Sequence, residues 1–117
     1  GIGLFPGGQQ IIIANSDPAK PVWYLYNIVG DAFTNGKIFY DASATKEKNG
    51  LPDGLKVDSK GNVFATGPGG IFIFNSKGIL LGKIHLNEAA ANVALTPDEK
   101  ILFITNDMYL LRIKMRD

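Results

Sequence analysis

The residues best suited to chemistry in this sequence are oxygen donors, and one of them, Asp53, sits on a constrained stretch of backbone. It lies between Pro52 and Gly54 in the run Leu51-Pro52-Asp53-Gly54-Leu55-Lys56-Val57-Asp58. A carboxylate there can act as a metal ligand and general base, or it can be a turn aspartate bonded to nearby backbone. Spacing alone leaves both readings open. Asn92 is a further oxygen-bearing candidate, and Asn15, Asp17 and Asn106 are second-tier candidates for substrate contact. The sequence holds no cysteine and one histidine, His85. Oxygen donors without imidazole or thiolate suit a hard divalent cation, calcium or magnesium, rather than zinc or copper.

These candidates are positioned by a repeat. An apolar strand, a Gly/Pro/Asp turn and a second apolar strand recur three times. The first copy runs over residues 1–5, the turn Pro6-Gly7-Gly8-Gln9, and residues 11–15. The second uses residues 54–57, the turn Asp58-Ser59-Lys60-Gly61, and residues 63–67. The third uses residues 93–95, the turn Thr96-Pro97-Asp98-Glu99, and residues 102–106. Third strands are predicted over 21–29, 71–75 and 109–114, and fourth strands over 37–41 and 79–84. Residues 87–91 favour helix locally but are too few to stand as one. Asp58 and Asp98 read as structural turn residues, and Trp23, Tyr24 and Tyr26 as packing aromatics.

Four antiparallel strands per repeat make the blade of a β-propeller. The expected fold is therefore all-β, a single partial propeller domain over residues 1–117. Its blades fall at approximately 1–48, 49–90 and an incomplete 91–117. Two blades and three strands cannot close a ring, which needs about four blades or more. The remaining blades are expected from the same longer chain or from an associated chain.

In such a blade the start of the first strand and the end of the second share one face. That brings together Gly1, Asp53 and Asn92 with Asn15, Ser16, Asp17, Thr66, Gly67, Pro68, Thr105, Asn106 and Asp107. His85 falls in an outer strand, away from the axis.

Composition narrows the partners. Net charge is +1 with no basic cluster, so nucleic acid is not expected. The alternation Arg112-Ile113-Lys114-Met115-Arg116 reads as a strand with one solvated face. No stretch approaches the roughly 20 apolar residues of a membrane helix. The expected protein is soluble, and periplasmic and cytoplasmic locations are both open.

The run Gly50-Leu51-Pro52-Asp53-Gly54-Leu55-Lys56-Val57-Asp58, continued by Gly61-Asn62-Val63-Phe64, resembles the gluconolactonase, regucalcin and senescence-marker-protein family of six-bladed propellers. Gly70-Ile71-Phe72-Ile73-Phe74, Gly78-Ile79-Leu80-Leu81-Gly82, Ala91-Asn92-Val93-Ala94-Leu95 and Leu102-Phe103-Ile104-Thr105 fit its bacterial gluconolactonases. The resemblance covers the whole chain and matches the C-terminal part of such enzymes. It implies metal-dependent hydrolysis of a sugar lactone. It also implies an axial divalent metal held by a Glu, an Asn and an Asp, calcium first, with magnesium or zinc as alternatives. The Asp corresponds to Asp53, as ligand and general base; the Asn would precede Gly1, and the Glu belongs to an early blade. Asn92, one blade on, is the expected contact to a sugar hydroxyl. The alternative expectation is a non-catalytic propeller scaffold with a degenerate metal site.

Overall fold

Short apolar runs broken by Gly, Pro, Asn and Asp cannot sustain a helix, and they emerge as strands in the computed structural model, which describes residues 1–115. Arg116, the end of the basic-apolar alternation, lies outside the described residues. The first sheet is the meander β1 (Ile2–Leu4), β2 (Gln10–Asn15), β3 (Val22–Val29) and β4 (Ala32–Asp41). The second is β5 (Leu55–Val57), β6 (Val63–Gly67), β7 (Gly70–Phe74) and β8 (Leu80–His85). The third holds β9 (Ala90–Leu95), β10 (Ile101–Asn106) and β11 (Tyr109–Lys114). Every pairing is antiparallel. A single 3-10 turn, Ser43–Thr45, interrupts the crossing from the first sheet to the second. No helix of the described residues is long and apolar enough to cross a membrane.

One local reading differs from the sequence expectation. Strand β4 starts at Ala32 rather than Lys37, because Gly30 (φ 60) and Asp31 turn the chain and Val29 pairs with Ala32. The Asn35-Gly36 pair is therefore a bulge and not a turn. Asn35 takes φ 54, and these two residues face Tyr26 between the Leu25–Lys37 and Asn27–Thr34 pairs. A Cβ at Gly36 would sit 2.4 Å from Tyr26 Cε1, so the aromatic ring lies over the glycine. As their small number leads one to expect, the helix-favouring residues 87–91 form no helix; a bend leads into β9. Backbone pairing with β10 outweighs the local propensity of three alanines.

The sheets stack face to face, like consecutive blades. Between the first and second lie Ile12, Trp23, Leu25 and Phe39, packed on Leu55, Ala65, Phe72 and Phe74. Between the second and third lie Phe64 and Ile71, packed on Val93, Leu102 and Ile104. Strand β6 is buried along its whole length because both its faces are covered. Each fully buried large side chain contributes about 1.5–3 kcal/mol. The outer face of the first sheet instead leaves Ile2, Leu4, Phe33 and Ile38 exposed, the flank of a blade.

The first strands of the three sheets lie side by side along an inner seam. The seam is glycine-lined because the backbones come too close for a side chain. A Cβ at Gly1 would stand 1.9 Å from Asp53 O, and one at Gly54 would stand 2.7 Å from Asn92 Cα. The Gly54 N–H donates to Ala91 O at 2.9 Å, tying the second sheet's inner strand to the third's. At the opposite face Glu99, at φ 60, accepts from the Ser59 N–H (2.8 Å) and hydroxyl (2.6 Å). Asp58 and Asp98 fix the two turns there. Asp98 accepts from Thr96 Oγ1 and the Lys100 N–H, which hold its carboxyl below the usual range.

Candidate functional site

Asp53 reaches its position because Leu51-Pro52-Asp53 is hung on one buried hydroxyl. Thr66, fully buried near the end of β6, accepts the Asp53 N–H at 3.1 Å and donates to Leu51 O at 3.3 Å. From the first sheet, Ser16 Oγ donates to Pro52 O at 2.5 Å. The Thr66 N–H donates to Gly54 O at 3.0 Å. The peptide on either side of Asp53 is therefore held, while its carboxylate points out, exposed and bonded to no described residue. A turn aspartate bonded to its own backbone has a different appearance. Asp17 (to the Ala19 N–H), Asp41 (to Ser43) and Asp58 (to the Lys60 and Asn62 N–H groups) show that pattern.

The Asp53 carboxylate borders a cleft of about 410 Å³ between the second and third sheets. Its walls carry Asp53 from one side and Thr105 and Asp107 from the other, over an apolar lining of Leu51 and residues 89–91. Asp107 is held at φ 54 in the β10–β11 turn, with its N–H donating to Ala89 O at 3.0 Å. Asp107 was among the residues expected on this face; its place on the cleft wall follows from that left-handed turn, which a hairpin Asp tolerates.

The other candidates are placed elsewhere. Asn15 Nδ2 donates to Lys20 O, and Asp17 accepts from the Ala19 N–H, both within one turn. Asn106 is buried and donates to Glu88 O at 2.8 Å, latching β10 to the loop before β9. Asn92 accepts the Val93 N–H at 2.9 Å and borders a smaller hollow of about 160 Å³ on the outer face of the third sheet. Thr105 Oγ1 donates to Asn92 O at 3.3 Å and belongs to both hollows. His85 lies exposed at the end of β8.

The donor set bears on a metal. Among the described residues no three or more His, Cys, Asp or Glu side chains gather in a way that could hold one. A hard cation of calcium type takes 6–8 oxygens. Asp53 offers one free carboxylate of the right chemistry, which alone falls short of that number.

Thr66 is the residue whose loss reports on this architecture. Thr66→Val keeps the shape but leaves the Asp53 N–H and Leu51 O unpaired, at about 1–3 kcal/mol. The expected result is a lowered urea midpoint, whereas Ser at the same position keeps it.

Comparison with known proteins follows the same lines. The sequence model of the SMP-30/Gluconolactonase/LRE-like region matches residues 1–107. A curated relative, the gluconolactonase of Zymomonas mobilis, is 29% identical over 99% of this chain and 34% of its own length. Among solved structures, a gluconolactonase from Xanthomonas campestris superposes with TM-score 0.87 at 24% identity. It covers 99% of this chain and 37% of that one. A luciferin-regenerating enzyme superposes with TM-score 0.76 at 18% identity, covering 91% of this chain and 36% of that one. These superpositions show a β-propeller fold. The chain spans about a third of the length of the relatives it matches.

Proposed function

Because the chain belongs to the SMP-30/gluconolactonase/LRE-like family, we propose that the complete protein hydrolyses a sugar lactone at the cleft beside Asp53. The observation that carries this reading is the Asp53 carboxylate, fixed through its backbone and left free at its oxygens.

The chemistry follows from that placement. Asp53 takes a proton from a water as the water oxygen adds to the lactone carbonyl carbon. The ring C–O bond then breaks, and the departing oxygen receives that proton back from Asp53, giving the open hydroxy acid and restoring the carboxylate. A carboxylate so placed contributes about 10²–10⁴ as general base. A divalent cation, calcium in first place and magnesium or zinc as alternatives, would be held jointly by Asp53 and donors outside these residues. When bound it supplies positive charge that polarises a carbonyl. The apolar lining at Leu51 and residues 89–91 suits the C–H face of a sugar ring, with Asp107 and Thr105 as acceptors for its hydroxyls. Asn15, Asp17 and Asn106 act through the loops they hold, while Asn92, on β9 beside Gly54, is kept as a contact to a sugar hydroxyl.

The test is acid release from an aldonolactone by the complete protein, followed at constant pH. Activity is expected to fall with a chelator and to return with added calcium. Full activity after chelation would remove the metal from the proposal, and no activity on any lactone would remove the enzyme.

A further inference from the structure

A second cleft, of about 370 Å³, opens on the same face at the outer end of the second sheet, and Lys48, Gly69 and His85 border it. Its walls are three loops bonded to one another. The Gly69 N–H donates to Asn49 O (2.8 Å), the Leu86 N–H to Gly69 O (2.9 Å), and Asn49 Nδ2 to Asn87 O (3.0 Å). Gly69, at φ +93, is where two lysines converge. A Cβ there would lie 2.9 Å from Lys48 Cδ and 3.6 Å from Lys83 Nζ.

Lys83 is half-buried beside the cleft rather than on its wall, reaching it past Gly69, and its Nζ sits 4.4 Å from the Phe72 ring centroid. Burial first, and then the neighbouring Lys48 charge, push its pKa down. The charge felt by this ammonium is thus another ammonium. Two like charges gathered on a preformed loop platform are an arrangement that an anion relieves.

We propose that this cleft binds a phosphate group, with Lys48 and Lys83 supplying the charge and His85 a ring nitrogen to hydrogen-bond it. Lys83 and His85 stand two residues apart on β8 and Lys48 comes from the facing loop, so donors approach from two directions and not from one plane, which fits a tetrahedral dianion better than a carboxylate. Glu47 borders the same cleft and limits how tight the binding becomes. The site is separate from the lactone cleft. Three strand spacings of about 4.8 Å place β8 roughly 14 Å from β5. A phosphate on a monosaccharide reacting at Asp53 would not span that distance, so the proposal stands without the lactonase reading.

Calorimetric titration of the complete protein with inorganic phosphate and, separately, with glucose 6-phosphate tests it. Saturable binding of phosphate is expected, weakened about tenfold or more in both Lys48→Gln and Lys83→Gln. Lys48 is exposed on a loop, so that variant reports on binding even if Lys83→Gln loosens the sheet. Tighter binding of the sugar phosphate identifies a phosphorylated sugar as the ligand, and equal binding identifies free phosphate. Absence of heat with both up to about 20 mM, or variants that bind as the parent does, overturns the proposal.

Discussion

Asp53→Asn in the complete protein is expected to lower kcat for lactone hydrolysis by about 10²–10⁴-fold while leaving the fold intact. The two halves of that expectation rest on different observations. Asparagine has the same shape, and the carboxylate accepts no hydrogen bond from a described residue, so nothing in the fold is lost. The anchoring bonds to Thr66 and Ser16 involve the backbone around residue 53 and survive the substitution. What is lost is an anionic oxygen that can take a proton. A matched urea midpoint beside a collapsed kcat would locate the chemistry at this residue. An unchanged kcat would place the reaction elsewhere, and an inactive parent with equal stability would favour the scaffold reading. Asp53→Glu adds a useful control, since it restores the base but moves it by about one carbon–carbon bond. A partial recovery shows that a carboxylate, and not only a side chain of this size, is required.

Much of this arrangement was legible because period and punctuation agree in the sequence. Continuous apolar runs in Val63-Phe64-Ala65 and Phe72-Ile73-Phe74, bounded by Gly and Asp turns, admit little besides a meander buried on both sides. For Asp53 the spacing left a turn aspartate and a free carboxylate equally open, and only the partner atoms show a carboxylate that is exposed and bonded to no described residue. The bulge at Asn35-Gly36 was hidden because Asn-Gly is the strongest short hairpin signal. Only the cross-strand pairing to Tyr26 shows that the strand continues through it. The side-chain roles were the least legible. Asn15, Asp17 and Asn106 have the same composition whether they face a ligand or cap a loop, and only the partner atoms distinguish the two. Thr66 looks like an ordinary strand residue until its hydroxyl is seen to sit under Asp53. Asp107 takes its place on the cleft wall through a left-handed turn, which the sequence leaves undetermined.

Trp23→Ala carries the largest expected effect on stability, a loss of about 3–5 kcal/mol. The indole is fully buried between the first two sheets, with Phe72 and Phe74 ring centroids each 5.2 Å away and Tyr40 at 6.2 Å. Among the described residues its Nε1 has no hydrogen-bond partner. The indole therefore stabilises the protein by volume and ring contacts, while its N–H opposes folding with an unpaired burial cost of about 1–3 kcal/mol. Trp23→Phe removes that cost along with some volume, so its net effect is expected to be small beside that of alanine. Urea unfolding at constant m-value makes the comparison. A phenylalanine variant as damaged as the alanine one would mean that the N–H has a partner, such as an ordered water. The consequence also reaches the cleft. A Cβ at Gly67 would stand 3.0 Å from Trp23 Cη2 and 2.8 Å from Phe72 Cε1, so these rings pack directly on the end of β6. The next residue back along that strand is Thr66, whose hydroxyl seats Asp53. A cavity at Trp23 lets the strand end relax, and kcat should fall with stability in Trp23→Ala but hold in Trp23→Phe.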